Sequence, residues 1–119
     1  MKKIIKQANI FKSISDPTRL RILKILQVKP LCVCEIQDVL GLTASTISEH
    51  LSVLRESGLV LSEKKGKIVY NRLNFYSETE SVPAVISMIS CLITDDTTIK
   101  SDIAKAKKTD CRVILARKT

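Results

Sequence analysis

The stretch EIQDVLGLTASTISEHLSVLRESGLV, residues 35–60, decides how the rest of the chain is read. Ile36, Val39 and Leu40 recur at helical spacing and stop at Gly41, a residue suited to the left-handed conformation in which many helices end. Only Leu42 and Thr43 intervene before a second apolar stripe, Ile47, Leu51 and Leu54, which stops in turn at Gly58. Two short helices, about 32–40 and 44–57, joined through a glycine turn of this length make a helix-turn-helix. Away from its stripe the second helix carries Ser45, Thr46, Ser48, Glu49 and Ser52.

Upstream, Ile4, Ile5, Ala8, Phe11 and Ile14 form a stripe over 3–14 that predicts a first helix. Asp16 is a good N-cap and Pro17 suits the first position of a second helix, which carries Leu20, Leu23, Ile25 and Leu26 and ends near Pro30. Downstream, residues 59–62 and 67–73 read as strands, with Glu63-Lys64-Lys65-Gly66 as a charged hairpin tip. A further helix, about 77–93, carries Val82, Val85, Ile86, Ile89, Leu92 and Ile93 on a stripe nearly free of charge. The expected fold is mainly α with a small β-hairpin, a winged helix-turn-helix over 1–93. A basic tail, 94–119, follows it with a short helix near 99–106.

At 119 residues the chain is one domain with a small core. Aromatics are only 3%, so that core must be built from Leu, Ile and Val. No apolar run is long enough to span a bilayer, and the charged start lacks the apolar stretch of a signal peptide. A cytoplasmic protein with reduced thiols is therefore expected, without a membrane partner. One histidine, no phosphate-binding glycine loop and no nucleophile–base pair that the fold would assemble argue against an enzyme.

The net charge of +8 is unevenly placed. Residues 1–75 hold 13 bases and six acids, 76–96 four acids and no base, and 97–119 seven bases and two acids. With a helix-turn-helix followed at once by a basic hairpin, the expected partner is double-stranded DNA. Ser45, Thr46, Ser48, Glu49 and Ser52 would face base edges from the recognition helix, and His50 a base or a phosphate. Lys64, Lys65, Lys67 and Arg72 would meet phosphates from the wing. The charge-poor stripe from Val82 to Ile93 is more than so small a domain needs for its own core, so it reads as the interface of a homodimer matched to a palindromic operator.

Cys32 and Cys34 sit where the third element begins. Two residues apart on a helix they would point to opposite sides, whereas on extended chain they would share a face. One soft ion taking both sulfurs would thus require the first turn to unwind, deforming the helix packed on the recognition helix. A helix N-terminus would lower the thiol pKa, with Glu35 opposing. Two buried small hydrophobes, or thiols that oxidise to disulfides or persulfides, are the alternative readings.

Asp16-Pro17-Thr18-Arg19-Leu20, Leu31-Cys32-Val33-Cys34-Glu35-Ile36, the run from Ser48 to Val60 and that from Lys65 to Leu73 together resemble the ArsR/SmtB family of metal-sensing repressors. The resemblance implies a homodimer paired through its first and last core helices, here through Ile4, Ile5 and Phe11 as well as the stripe, that leaves its operator when a toxic metal or metalloid binds. In the arsenic branch a Cys-Val-Cys at this place is the core of an As(III) or Sb(III) site. The third cysteine that often follows is here Gln37, which leaves the third ligand open between Cys91, Cys111, a partner subunit's thiol and an exogenous thiol. A related branch senses Cd(II) and Pb(II) with added N-terminal cysteines, of which residues 1–31 hold none. The family's zinc site uses His and carboxylates on the last helix, and the only histidine is His50.

Overall fold

In the computed structural model, which describes residues 1–118, the chain forms α1 (Lys2–Ser13), α2 (Pro17–Leu26), α3 (Val33–Leu40), α4 (Ala44–Glu56), β1 (Val60–Lys65), β2 (Ile68–Leu73), α5 (Ser81–Cys91), α6 (Thr97–Lys108) and α7 (Cys111–Lys118). The helix-turn-helix is α3 and α4. Gly41 ends α3 at φ 70°, a conformation that would strain any residue with a Cβ, and its N–H returns to the Gln37 carbonyl. Thr43 then caps α4 by accepting from the Thr46 N–H at 3.3 Å. At the start of α2, Asp16 accepts from the Arg19 N–H at 3.0 Å, and that bond holds its carboxyl below the ordinary range.

β1 and β2 pair antiparallel from Val60 opposite Leu73 to Lys65 opposite Ile68, so the wing turns on Gly66 and Lys67 alone. The expected four-residue tip is two residues shorter, because Glu63, Lys64 and Lys65 continue the ladder. A third extended piece joins β2: Leu31 and Asn71 exchange backbone hydrogen bonds of 3.0 and 2.8 Å. The chain thus enters α3 directly from a strand pairing.

The core is aliphatic, with Ile22, Leu23, Ile36, Ile47, Leu51, Leu54 and Leu73 essentially inaccessible. Each such side chain contributes about 2 kcal/mol by burial. One expectation changes here. Val82, Val85, Ile86 and Ile89 are at most 5% exposed and belong to this core rather than to an open face; only Leu92 and Ile93 of the stripe remain on the surface. In α1 the buried residues are Ile10 and Ser13, while Ile4, Ile5 and Phe11 are exposed. A core of this size in a short chain needs α5 as a lid, and periodicity cannot tell a face covered by the same copy from one covered by another.

The segment after α5 is not an open tail. α6 packs on α2 and α3, and α7 packs on α3; Thr119 lies outside the described residues. Arg21 of α2 grips the buried carboxylate of Asp102 on α6 with two bonds of 2.7 and 2.9 Å. Lys29 donates to the Thr109 carbonyl at 2.8 Å, and the Thr109 hydroxyl donates to Asp38 at 2.9 Å. β2, α6 and α7 therefore all pack on α3.

Candidate metal centre and nucleic-acid interface

Cys32 is the N-cap of α3, with extended backbone at φ −85° and ψ 168°, and Cys34 lies inside the first turn. Their sulfurs are 3.0 Å apart. The rule that residues two apart on a helix do not meet applies only when both are helical. Here one is not, so the pair converges with the first turn intact, and the unwinding expected from the sequence is unnecessary. Soft ions bond thiolates at about 2.3 Å, which places two sulfurs on one ion roughly 3–4 Å apart.

Glu35 organises the rest. Its Oε1 accepts from the Cys32 N–H at 2.9 Å, closing the start of α3, and its Oε2 accepts from the Cys111 N–H at 3.2 Å, closing the start of α7. One buried carboxylate thus ties two helix N-termini together, where its charge opposes the positive end of each dipole. The consequence is that Cys111 comes to Cys32: the Sγ atoms of Cys32 and Cys111 and a Glu35 oxygen all lie within 4.8 Å of one another. Tyr70 of β2 lies outside this group and touches it only through Cys111, its Oη 3.4 Å from that sulfur.

The electrostatics correct a second expectation. Burial, joined by the hydrogen bond to Cys34, pushes the Cys32 thiol well above its ordinary pKa rather than below it. The helix N-terminus does act, through the Glu35 backbone N–H, but burial, the Cys34 thiol and the Glu35 carboxylate outweigh it. The hydrogen bond to Cys111 pushes Tyr70 up to about 12. Cys32 and Cys111 are buried; Cys34 is half-buried and meets Cys32 but lies outside the group of three; Cys91, at the end of α5, is exposed and apart from both.

On the opposite side of the helix-turn-helix, Ser45, Ser48 and Glu49 are exposed, and Thr46 and Ser52 half-buried. Thr46 also accepts from the Thr43 hydroxyl at 3.0 Å, so part of its capacity serves the cap. His50 is half-buried, with Nδ1 3.3 Å from an Arg19 guanidinium nitrogen and 4.0 Å from Asp16. His50 therefore braces α4 against the start of α2. In the wing Lys64, Lys65 and Lys67 are exposed, while Arg72 pairs with Glu63 at 3.4 Å.

Three residues here carried no sequence signal. Glu35 read only as a neighbour that disfavours thiolate, Tyr70 as a strand residue, and Asn71 as one letter in a run. Asn71 is 1% exposed; its amide donates to the Leu31 carbonyl at 3.1 Å and its Oδ1 accepts from Ser62 at 3.0 Å. A polar residue alternating with Leu73 on the covered face of a strand was the one available hint.

Comparison with known proteins completes the description. Residues 16–62 match the family described as bacterial regulatory protein, arsR family. An HTH-type transcriptional regulator of Methanocaldococcus jannaschii is 39% identical over 90 residues, 75% of this chain and 97% of that protein. The arsenical resistance operon repressor of Escherichia coli is 46% identical over 66 residues, 55% of this chain and 56% of that protein. A cadmium resistance regulatory protein CadC homolog of Staphylococcus aureus is 37% identical over 68 residues, 56% of each chain. Among solved structures, reduced HlyU from Vibrio cholerae superposes with a TM-score of 0.65 at 34% identity, covering 78% of this chain and 94% of that one.

Proposed function

The chain belongs to the arsR family of transcriptional regulators, with its DNA-binding winged helix-turn-helix, and from that premise we propose that it is a repressor induced by As(III) or Sb(III) through Cys32, Cys34 and Cys111. The observation that carries this is that α7 brings the buried Cys111 sulfur to that of Cys32, which itself lies 3.0 Å from the Cys34 sulfur.

The chemistry of the donor set favours a trivalent metalloid. Neutral arsenous acid, As(OH)3, reacts with three thiols by breaking three As–O bonds and forming three As–S bonds, each thiol proton leaving in a water. The oxidation state is unchanged, no proton reaches solvent, and the product is neutral. A buried thiol held protonated, as Cys32 is, suits that exchange. A divalent ion would have to drive the protons off, and with three thiolates it would leave a net negative charge in a poorly solvated place. Glu35, the one carboxylate at hand, already has an N–H on each oxygen.

A second reading, induction by Cd(II) or Pb(II), has in its favour the Glu35 oxygen within 4.8 Å of two sulfurs and the relation to a cadmium resistance regulator. The two readings differ in proton stoichiometry. Fluorescence anisotropy of the reduced protein on a labelled duplex from upstream of its own gene, titrated with arsenite, should show release at about one arsenic per subunit. The midpoint should stay flat between about pH 6 and about pH 8, because no proton is exchanged with solvent. Cadmium affinity should rise about tenfold per pH unit for each proton expelled over the same range. Release by cadmium but not by arsenite would transfer the assignment to the second reading.

DNA contact falls to the exposed face of α4 and to the wing. Replacing Lys64, Lys65 and Lys67 together by alanine should weaken binding to any duplex alike and flatten the salt dependence by about 0.9 log unit per lysine that meets a phosphate. An unchanged slope would remove the wing from the interface. The exposed apolar surface of Ile4, Ile5 and Phe11 on α1 with Leu92 and Ile93 after α5 is the proposed homodimer face, and a monomer in sedimentation at operator-binding concentrations would remove it.

A further inference from the structure

We propose that strand β2 carries the state of the thiol site to the DNA-facing side chains, with Tyr70 as the positioning residue that links Cys111 to the wing. This rests on the metalloid reading above and adds to it the route by which occupancy changes DNA affinity.

β2 touches the site at two places. Tyr70 Oη lies 3.4 Å from Cys111 Sγ, and the residue before Cys32 is bound to β2 through the paired backbone hydrogen bonds between Leu31 and Asn71, 3.0 and 2.8 Å. From these places one row of side chains leaves on each face of the strand, since successive residues point to opposite sides. On the first face Tyr70 stands opposite Glu63, and Glu63 holds Arg72 at 3.4 Å. On the second, Asn71 accepts from the Ser62 hydroxyl at 3.0 Å, and that oxygen accepts from Arg55, in the last turn of the recognition helix, at 3.3 Å. The thiol site is therefore joined to α4 by hydrogen bonds through the second row, and reaches the wing cation through cross-strand neighbours in the first.

The site cannot fill without disturbing the first row. Sulfurs sharing an ion must each come to about 2.3 Å from it. The Cys111 sulfur, which lies against the Tyr70 hydroxyl, has to turn toward Cys32 and Cys34. Asn71 is 1% exposed and bound through both ends of its amide, so a shift of Leu31 or of β2 is passed on rather than absorbed locally.

Tyr70→Phe removes one hydroxyl from a half-buried ring, and Ser62→Ala removes the link between Asn71 and Arg55. In the reduced full chain, with sodium arsenite as probe, arsenite binding is followed by sulfur–arsenic absorption and operator affinity by anisotropy. Tyr70→Phe should bind arsenite, and bind the operator without arsenite, within about threefold of the parent. The arsenite-induced drop in operator affinity should shrink by about tenfold or more, with a smaller loss for Ser62→Ala. With Tyr76, which is 94% exposed, replaced by Phe, Tyr70 is the one tyrosine left, and its ultraviolet absorption should change as arsenite binds. Full release from both Tyr70→Phe and Ser62→Ala would overturn the proposal, as would a silent Tyr70 signal. Loss of arsenite binding in Tyr70→Phe would also overturn it, reducing Tyr70 to a support of the site. A parent protein that does not bind arsenite would sink the metalloid reading itself, and that is seen before any variant is made.

Discussion

Cys111→Ser is expected to lower arsenite affinity by about a hundredfold or more, about 2.7 kcal/mol, and to leave operator binding without arsenite unchanged. The serine hydroxyl can keep the contact with Tyr70, and the Cys111 N–H still reaches Glu35, so α7 should stay docked. What disappears is the third sulfur. A metalloid held by two thiols keeps one exchangeable hydroxide, and competing thiols in the buffer then displace it readily. The same measurement on Cys91→Ser should show no change, because Cys91 is exposed at the end of α5 and lies outside the cluster. An arsenite response that survives Cys111→Ser and fails in Cys91→Ser would place the third ligand across a subunit interface, and the site built by α7 would then be a structural contact.

The helix-turn-helix was legible because it is encoded locally. Gly41 stops one helix as anticipated, and the next starts within three residues, where Thr43 turns out to be its cap. The wing was legible for the same reason, apart from its turn. Cys111 was one candidate among several, and its docking beside Cys32 was not legible, because it depends on partners far apart in sequence: Glu35 with Cys111, Asp38 with Thr109, Arg21 with Asp102. No periodicity announces such pairs, and a run of lysines around a buried Asp102 reads as a solvated tail until Arg21 is seen to meet it. The thiol geometry was misread for a narrower reason. Placing Cys32 at the N-cap rather than inside α3 shifts one residue by one position, within the ordinary uncertainty of a helix boundary, and that step turns diverging sulfurs into a pair at 3.0 Å. The α5 stripe was seen, but apolar spacing identifies a face that must be covered, not the chain that covers it.

Lys24 shows the same limit from the stability side, and its replacement should produce the largest loss of stability in the molecule's polar contacts. In sequence it falls between Leu23 and Ile25 and passes for a residue on the wet side of α2. In the structure it is 2% exposed, and its ammonium group donates to the carbonyls of Ile89 at 3.0 Å, Ser90 at 3.4 Å and Leu92 at 2.8 Å. Those carbonyls close α5, where the last turn of a helix lacks internal donors and its dipole favours a cation. The chain continues through Ile93 at φ 50°, a left-handed conformation that costs a β-branched residue about 1–2 kcal/mol and has to be held in place. Lys24→Met keeps the apolar stem and removes the ammonium group that serves all three carbonyls, of which the Ile89 contact is buried. The expected loss is about 3 kcal/mol, which for a domain of this size is a fall of about 10 °C in Tm. The comparison has to be made at equal protein concentration, because any dimer makes Tm depend on it. A variant melting within about 2 °C of the parent would mean that the end of α5 is held by its apolar face alone. A fall of the expected size would identify Lys24 as the residue that fixes where α5 ends, and with it the position of Leu92 and Ile93 on the proposed dimer face.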